Sequence, residues 1–447
     1  MNQKQKSTKT ERIIRALSPT ENFQRRYKVS SIYRVNFSAK LHLENFKKAL
    51  AITVDEQTLL NCQIEENPSN KEERFFVYSE RLLPLLNVFD VVFSPEAAEE
   101  LYKQAINTPL LPEEQMYRFD LIPVSSSQAP HEINHFLLFL IIDHAISDGK
   151  SGDHFFRRIF EVYDGLMKGE DIQPQPSLAS HSIETFFSEA LLATDPAEQI
   201  EAQQQVINEK KPDSMIQYFL NRQLDSKQKL VITTKQIVIH DHQIAQLKKQ
   251  AIKNGVIFNS VLASLLMLAV MDNIEKDQLT LAAKFAADVR SFLKGDEKTN
   301  ERENTLFSCR ASTYDGYFPI TKETTLNELA KMVEQNDRAN INKDQLFKNV
   351  YIYSTSKKRA GANVALMISN IGQSQLKNDW DYCQINDYWA HGIAHAPLIG
   401  FAIAGFHRHL TINFYTVIPW IREDKIQGIE SALVRIINQY GSTACED

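Results

Sequence analysis

The sequence predicts an α/β protein built from two lobes of similar size. Its 447 residues exceed what one ordinary hydrophobic core covers, which suggests two domains of about 200 residues each. In both halves, short apolar stretches of strand length alternate with stretches of helical periodicity. We therefore expect an N-terminal lobe over residues 1–175, a connector over 176–229 and a C-terminal lobe over 230–447.

Composition narrows the class of protein. Hydrophobic residues make up 43% and charged residues 24% of the chain, as in ordinary folded globular proteins. The formal net charge of −6 provides no overall basic field, so nucleic acid is not an expected partner. The polar N-terminus has no apolar secretory segment, and the longest mostly apolar run, Val261 to Met271, is shorter than the roughly 20 residues of a membrane span. We expect a cytoplasmic protein without a membrane span.

The four cysteines are Cys62, Cys309, Cys383 and Cys445. They are scattered along the chain without metal-ligand spacing, and no histidine stands beside any of them in sequence. We therefore expect plain reduced thiols.

The N-terminal lobe is predicted to alternate between strands and helices. Ser18, followed by Pro19 and by Glu21 three residues on, is a capping-box signature for a short helix. Apolar residues at helical spacing predict a helix from Leu43 that ends before Leu59. The remaining predicted elements are strands over Ser31–Phe37, Leu59–Ile64, Phe75–Tyr78, Val88–Phe93 and Met116–Ile122, and a helix over Glu96–Ile106.

The connector is rich in Pro, Gln and Glu, and its helical part carries no strong apolar stripe. The C-terminal lobe repeats the alternation. We expect strands over Lys235–Ile239, Leu279–Ala287 and Asn363–Asn370, helices over Gln243–Ala251, Asn259–Met271, Leu326–Val333 and Ile429–Tyr440, and a hairpin over Pro397–Tyr415 that turns at Gly405–His409.

The stretch HFLLFLIIDHAISDGKSGDHFF, from His135 to Phe156, is the most informative part of the chain. Its seven unbroken apolar residues, Phe136 to Ile142, predict a strand buried on both faces. Polar residues follow at once, and Ser147 or Asp148 can cap a helix that continues through Phe160. The pattern places His144 at the end of a buried strand.

A histidine held still in this way can act as a base. Imidazole, with an ordinary pKa of about 6.5, takes up and returns a proton near neutral pH. Asp148 need not reach the same ring, and its expected role is to brace the turn, with Gly149 where the backbone turns sharply. The alternative is that His144 is a hydrogen-bonded structural residue, which histidines at strand ends often are.

The motif DHAISDG, Asp143 to Gly149, resembles the HHxxxDG signature of the chloramphenicol acetyltransferase-like superfamily. This superfamily includes condensation domains of peptide synthetases, alcohol acetyltransferases and phthiocerol mycocerosyl transferases. Weaker matches follow the family order over most of the chain. They are RALSPTE near the N-terminus, Leu43 to Glu66, NGVIFNSVLASLL, ADVRSF at Ala287 to Phe292, and SNIG at Ser369 to Gly372.

The resemblance implies two chloramphenicol acetyltransferase-like lobes that form a pseudo-dimer with a tunnel between them. It implies a thioester donor on coenzyme A or on an acyl carrier protein, and no permanently bound cofactor. His144 matches the catalytic general base and Asp148 the motif aspartate, which pairs with an arginine in relatives. Arg290, in the matching ADVR segment, is the candidate partner, and Gly149 belongs to the same structural brace.

Other candidate sites are weaker. Ser369 or Asn370 is a candidate oxyanion donor or tunnel residue, although a serine and asparagine at a strand end also suit a turn. His391 and His395 have zinc-helix spacing without the glutamate, and Gly392 and Pro397 argue against a helix. No metal site is expected.

We expect an enzyme that moves an acyl group from a coenzyme A thioester to a small-molecule alcohol by direct transfer, without a covalent acyl-enzyme. Asp143 replaces the first histidine of the motif, which peptide-bond-forming relatives usually keep. Two alternatives stay open. One is a condensation enzyme that forms an amide and depends on a carrier protein, and the other is a non-catalytic binding protein with the same fold.

Overall fold

The computed structural model describes residues 13–79, 85–125, 133–175, 181–221, 228–293, 306–355 and 366–442. Cys445, residues 363–365 of a predicted strand, and residues 176–180 and 222–227 of the predicted connector lie outside the described residues.

The chain forms two compact units. Unit 1 comprises residues 1–186, 294–310 and 375–388, and unit 2 comprises residues 187–293, 311–374 and 389–447. The sequence-based boundaries treated each lobe as one continuous segment. They therefore did not assign the two short later segments, 294–310 and 375–388, to the first unit.

The strands and helices are numbered in chain order. The strands are β1 Ile13–Ala16, β2 Ser30–Ala39, β3 Cys62–Asn67, β4 Asn70–Tyr78, β5 Leu86–Val88, β6 Tyr117–Val124, β7 His135–Asp143, β8 Val231–Ile239, β9 Gln278–Asp288, β10 Ala311–Thr321, β11 Leu366–Gln373, β12 Cys383–Ile393, β13 Ile399–Phe406 and β14 His409–Ile418. The helices are α1 Pro19–Arg26, α2 Leu43–Asp55, α3 Pro95–Ile106, α4 Ser151–Met167, α5 Glu189–Leu192, α6 Pro196–Lys210, α7 Ile216–Phe219, α8 Asp241–Asn254, α9 Phe258–Met271, α10 Leu326–Asn340, α11 Lys343–Thr355 and α12 Glu423–Ser442.

Unit 1 is organised around β7. The five-stranded sheet has the order β12-β2-β7-β6-β5, and β7 runs antiparallel to both of its neighbours. Every residue of β7 from Phe136 to Asp143 is buried. The prediction of a strand buried on both faces is confirmed, although its neighbours are antiparallel. A smaller sheet has the order β1-β4-β3.

Two helices cover one part of this sheet with aromatic side chains. The ring of Phe37 on β2 stacks on Phe46 of α2 at 5.9 Å between centroids and meets Phe160 of α4 edge-on at 5.5 Å. The apolar residues at helical spacing in α2 and α4 are thus the residues that pack against the sheet. The capping box at Ser18 is also confirmed, because its side chain accepts from the main chain of Glu21 while the Glu21 carboxylate accepts from the main chain of Ser18.

Unit 2 contains a six-stranded sheet with the order β10-β9-β11-β13-β14-β8. One of its faces, here the aromatic face, carries a row of large residues that are register partners on successive strands. They are Tyr314, Phe285, Ile368, Phe401 and Phe414.

Helices α9, α10 and α12 lie on the aromatic face, as side-chain contacts show. The Tyr314 hydroxyl donates to Asp337 of α10 at 2.7 Å. Asn370, two residues after Ile368, donates to Asn259 of α9 at 2.8 Å. Lys235, the register partner of Phe414, pairs with Glu430 of α12 at 3.1 Å. Packing of helices on this face explains its large apolar side chains.

Most predicted elements are present with shifted ends, but the strand predicted over Leu59–Ile64 is wrong in its first half. Residues Thr58–Asn61 form a short 3-10 helix, and the strand begins at Cys62. The Asn61 side chain donates to the carbonyls of Val54 and Gln57, which extends the end of α2 into this turn. The strand predicted over Val88–Phe93 ends at Val88 instead.

Six of the numbered elements were not predicted at all: β1, β10, β12, α5, α7 and α11. The predicted hairpin is confirmed as β13 and β14, which pair antiparallel around a turn where His407 has φ of 50°. No single helix in the described part of the chain is long and apolar enough to cross a membrane. Helices α8 and α9 pass that test by length and composition only as a pair bent by 107°.

The buried carboxyl of Asp337 provides a test of unit 2. Burial raises the pKa of Asp337 to about 6. Its effect is larger than that of the hydrogen bonds from Tyr314 and Asn259, which lower the pKa. The unfolded carboxyl titrates near pH 3.9, so between about pH 4 and pH 6 the folded state holds a proton that the unfolded state releases. The free energy of unfolding therefore falls as pH rises through this window.

We expect Asp337→Asn to remove this pH dependence. The change that it causes in the free energy of unfolding should be more favourable at pH 7 than at pH 4, by up to about 3 kcal/mol. Urea denaturation at pH 4, 5, 6 and 7 measures the effect. The exposed Asp277→Asn is the control, with an expected change near zero. A stability difference between Asp337→Asn and the parent that is constant with pH would contradict the assignment.

Candidate active site

His144 is the first residue after β7. Its main-chain N–H donates to the carbonyl of Val29 at 3.0 Å, and the N–H of Asp143 donates to Met116 at 2.8 Å. The ring is partly exposed, in contrast to the buried residues on either side of it. The strand end and these two bonds fix the main chain from which the imidazole projects.

Asp143 stabilises the turn from the other side of His144. One carboxylate oxygen accepts from Arg25 at 3.0 Å, and the other accepts from the main-chain N–H of Ala145 at 2.9 Å. Burial nevertheless raises the pKa of Asp143, because it outweighs the nearby guanidinium and these hydrogen bonds. The residue that replaces the first motif histidine thus has a structural partner in unit 1.

The carboxylate of Asp148 joins two segments that are distant in sequence. Its Oδ1 accepts from the main-chain N–H groups of Lys150 at 3.0 Å and Ser151 at 3.1 Å, and from the Ser151 hydroxyl at 3.0 Å. Its Oδ2 accepts from the main-chain N–H of Arg310 at 2.6 Å. A negative charge at the start of α4 is also favoured by the helix dipole. These contacts are the kind that the predicted bracing role of Asp148 requires. The effect of Asp148 on activity stays a prediction.

Two further residues complete the turn. The hydroxyl of Tyr33 donates to the carbonyl of Asp148, and the Tyr33 ring lies against Gly152. A Cβ at Gly152 would lie 2.1 Å from the Tyr33 ring, so only glycine allows this approach. Gly149 is half-buried in the same turn, and its place in the brace stays a prediction.

Arg310 is a residue of this site that the sequence analysis missed. Its side chain is 1% exposed, and its guanidinium donates to the carbonyl of His181 at 2.8 Å and lies over the ring of Phe186. Because its main chain bonds Asp148 while its side chain is anchored elsewhere, Arg310 holds the 306–310 segment against the turn.

Cys309 is the second missed residue. Its Sγ lies 3.6 Å from Nδ1 of His144, although the two residues are 165 positions apart. The sequence predicted a plain thiol, and no local pattern indicated a histidine beside it. The contact occupies the Nδ1 side of the ring.

Burial lowers the pKa of His144 below its usual value of 6.5. The carboxylate of Asp148, a hydrogen bond from the ring to the carbonyl of His144 itself, and Asp143 all act in the opposite direction, but burial outweighs them. At neutral pH the imidazole is therefore uncharged, with a lone pair available to accept a proton.

The other predicted site residues belong to unit 2. Arg290 is buried, and its guanidinium and main-chain N–H both donate to Asp288 at 3.0 Å. Its pairing with Asp148 stays a prediction. Ser369 and Asn370 lie on β11. The Asn370 side chain donates to Asn259 and accepts from the main chain of Gly372, which has φ of 81°.

The histidines considered for a metal are not in a helix. His391 lies in β12, buried between the rings of Trp389 and Tyr415, and burial lowers its pKa to about 3. His395 follows the end of that strand. Within the described ranges, no group of three or more His, Cys, Asp and Glu side chains is arranged to hold a metal ion.

No known family model matches the sequence, and no curated protein matches it. Among solved structures, the chain is similar to polyketide synthase associated protein 5 from Mycobacterium tuberculosis, with a TM-score of 0.67, 14% identity, and coverage of 96% of this chain and 99% of that one. It is also similar to the TRI3 trichothecene 15-O-acetyltransferase from Fusarium sporotrichioides, with a TM-score of 0.71, 10% identity and 95% coverage of each chain.

A third similar structure is the first condensation domain of the calcium-dependent antibiotic synthetase, with a TM-score of 0.65, 13% identity, and coverage of 92% of this chain and 91% of that one. At these identities the comparisons establish the fold. The chain has the two-lobed α/β fold of these acyltransferase and condensation-domain structures, as its motifs predicted. The tunnel that the resemblance implies stays a prediction.

The bracing role of Asp148 is testable through stability. In Asp148→Asn, one end of the side chain becomes an NH2 group, which in either orientation faces main-chain N–H donors. We expect a loss of about 1–3 kcal/mol, the cost of leaving a buried donor without an acceptor. Thermal and urea unfolding measure it.

Asp143→Asn is the matched control, since both aspartates are buried in the same turn. Removing the Asp143 charge relieves its burial cost while losing the Arg25 pair, so we expect a smaller loss. Equal losses in the two variants would argue against a special role for Asp148.

The pKa of His144 can be measured directly. We expect its ring signals in an NMR titration to report a value below 6.5, because burial disfavours the imidazolium. The His144→Ala variant identifies the resonance. A value above 7 would show that the nearby carboxylates, and not burial, dominate.

Proposed function

We propose that the protein is an acyltransferase that moves an acyl group from a thioester donor to an alcohol, with His144 as the general base. The observation that supports this most strongly is the imidazole at the end of β7, whose main chain is fixed by neighbouring segments and whose pKa is lowered by burial. A general base must be held within reach of its proton and must be neutral at the working pH. His144 meets the second condition and has a fixed position from which to meet the first.

In this proposal Nε2 is the atom that accepts the proton, because the Sγ of Cys309 lies 3.6 Å from Nδ1 and occupies that side of the ring. The acceptor hydroxyl oxygen attacks the thioester carbonyl as His144 takes its proton. The carbon–sulfur bond then breaks, and the imidazolium returns the proton to the leaving thiolate. No step requires a metal or a permanently bound cofactor.

The developing negative charge on the thioester oxygen needs a donor, which in other enzymes is worth about 3–4 kcal/mol. Of the two candidates, Ser369 suits this role better. Both ends of the Asn370 amide already bond residues of unit 2, whereas Ser369 is partly exposed.

The donor in this proposal is a coenzyme A thioester, and an acyl carrier protein is the other possible partner. Amide formation on a carrier-bound donor is the second candidate function, favoured by the likeness to a condensation domain. The third is a non-catalytic binding protein, favoured by Asp143 in place of the first motif histidine. Cytoplasmic localisation stays a prediction.

The central test is His144→Ala. We expect it to lower kcat by about 10²- to 10⁴-fold, the usual contribution of a general base, while the folded state is retained. Release of free thiol from a panel of acyl-coenzyme A thioesters, with and without candidate alcohols, measures turnover, and circular dichroism checks the fold.

His135→Ala is the matched control, because His135 is the exposed first residue of the same strand. We expect it to leave turnover unchanged. An active His144→Ala enzyme would overturn the proposed role. Activity only with a carrier-bound donor and an amine would favour the condensation candidate, and no transfer from either donor type would favour the binding protein.

A further inference from the structure

Cys309 lies between two residues of unit 1 whose main chains are bonded to α4 and to the turn before it. The carbonyl of Ser308 accepts a hydrogen bond from the Ser151 hydroxyl at 3.0 Å. The main-chain N–H of Arg310 donates to the carboxylate of Asp148 at 2.6 Å. Because both of its neighbours are held in this way, the main chain of Cys309 has little freedom of its own.

The residue before these three adds an aromatic anchor. The ring of Phe307 meets Phe155 of α4 edge-on, with 4.8 Å between the ring centroids. Its main-chain N–H donates to the side-chain oxygen of Gln57 at 3.0 Å. Phe307 is 2% exposed, so its ring belongs to the core of unit 1. Packing and hydrogen bonds therefore hold all of residues 307–310 against the rest of this unit.

This segment places a sulfur atom at one edge of the His144 ring. The Sγ of Cys309 lies 3.6 Å from Nδ1, and Cys309 is 5% exposed. A thiol is an uncharged group that is both a weak donor and a weak acceptor of hydrogen bonds. A partner at one nitrogen of a histidine ring determines which of the two nitrogens carries the proton. The position of Cys309 therefore bears directly on the state of the base.

Two arrangements of the protons fit a thiol beside Nδ1. In the first, Nδ1–H donates to the sulfur, and the lone pair of the neutral ring lies on Nε2. In the second, the thiol S–H donates to Nδ1, Nε2 carries the ring proton, and the thiol becomes the reactive group. The burial of Cys309 favours the first arrangement, because a buried thiol resists ionisation and a nucleophile must be open to its substrate.

The carboxylates near His144 are bonded to other groups. Asp143 pairs with Arg25, and Asp148 accepts hydrogen bonds from main-chain N–H groups and from the Ser151 hydroxyl. Both carboxylates raise the pKa of His144, but burial outweighs them. A carboxylate in contact with the ring would raise this pKa by about 1–3 units, whereas the thiol at Nδ1 carries no charge.

We propose that Cys309 is the positioning residue of His144, and that its uncharged sulfur accepts the Nδ1 proton so that Nε2 keeps the lone pair. The inference rests on the proposed function, in which His144 is the base, and adds the residue that orients this base. The Nδ1 proton stays on the ring throughout the reaction. Nε2 takes the proton of the acceptor hydroxyl and returns it to the leaving thiolate.

The position of the ring proton can be measured without substrate. Two-bond ¹H–¹⁵N NMR correlations of the ¹⁵N-labelled protein at pH 8 distinguish a protonated Nδ1 from a protonated Nε2, and His144→Ala identifies the signals. We expect a protonated Nδ1 in the wild-type protein and a mixture of the two forms in Cys309→Ala. A wild-type ring protonated at Nε2, or an unchanged pattern in Cys309→Ala, overturns the inference.

The kinetic arm compares two substitutions at Cys309. Partners that orient a functional histidine typically contribute about 10- to 100-fold, so Cys309→Ala is expected to lower kcat about tenfold while KM stays within about twofold. Cys309→Ser keeps an acceptor of hydrogen bonds and is expected to restore most of the lost kcat. An unchanged kcat in Cys309→Ala, or equal losses in the two variants, contradicts the positioning role.

Cys62→Ala is the matched control, because Cys62 is another buried cysteine of unit 1, and its Sγ donates to the carbonyl of Thr58 at 3.2 Å. We expect this variant to lower the melting temperature without changing kcat or the position of the His144 ring proton. A loss of kcat as large as that of Cys309→Ala would show general destabilisation and would overturn the inference.

Two further measurements test the uncharged thiol. Cys309→Asp is expected to raise the pKa of His144 by about 1–3 units, and the acid limb of the kcat/KM profile should move with it. An unchanged pKa in a folded Cys309→Asp protein would show that this side chain does not reach the ring. Intact-mass spectrometry after mixing with an acyl-coenzyme A thioester is expected to show no acyl adduct. An adduct that disappears in Cys309→Ala would make the thiol a nucleophile and overturn the inference.

The NMR arm separates this inference from the proposed function. If His144→Ala stays active, the general-base role fails, while a ring proton whose position depends on Cys309 still supports the contact. If His144→Ala is inactive and the wild-type ring is protonated at Nε2, the role of Cys309 fails and the proposed function does not.

Discussion

The carboxylate of Asp148 is the interaction on which the organisation of unit 1 around His144 depends. It satisfies two main-chain N–H groups at the start of α4, a position where a helix leaves donors unpaired. Its second oxygen bonds the main chain of Arg310, far along the sequence. Loss of this group would leave donors in both segments without an acceptor, at the place where Cys309 meets the His144 ring.

The buried strand β7 provides the second constraint. It is paired on both sides, and the residues that follow it are bonded at once to Val29 and Met116 through their main chains. A histidine at the end of such a strand has little freedom, and burial keeps it uncharged at neutral pH. General-base catalysis needs a side chain that is well positioned and unprotonated at the working pH, which is why the proposed function rests on this residue.

The two faces of the unit 2 sheet differ in composition. The aromatic face stabilises the unit, because rings such as Phe401 and Phe414 stack under the helices. The opposite face contains Asn413 and Thr411, whose Nδ2 and Oγ1 atoms have no partner among the described residues.

The part of the site that could be predicted from the sequence consists of residues that are adjacent in the chain. The apolar run, His144, Asp148 and the following helix form one continuous segment, so their order alone predicted the strand, the turn and α4. Capping at Ser18 and the hairpin of β13 and β14 were also read from neighbouring residues. The missed strand β12 pairs with β2. The periodicity of a single sequence does not indicate pairing between segments so far apart in the chain.

The sequence by itself determined the alternation of strands and helices, the two-lobed α/β fold and the position of His144 at a strand end, because these follow from local periodicity and a contiguous motif. Only the tertiary structure decided that Cys309 lies beside the His144 ring and that the main chain of Arg310 bonds Asp148. It also decided which residues of successive strands share the aromatic face. Each of these is a contact between segments brought together by folding, and no local spacing in the chain encodes which distant residue will complete the contact.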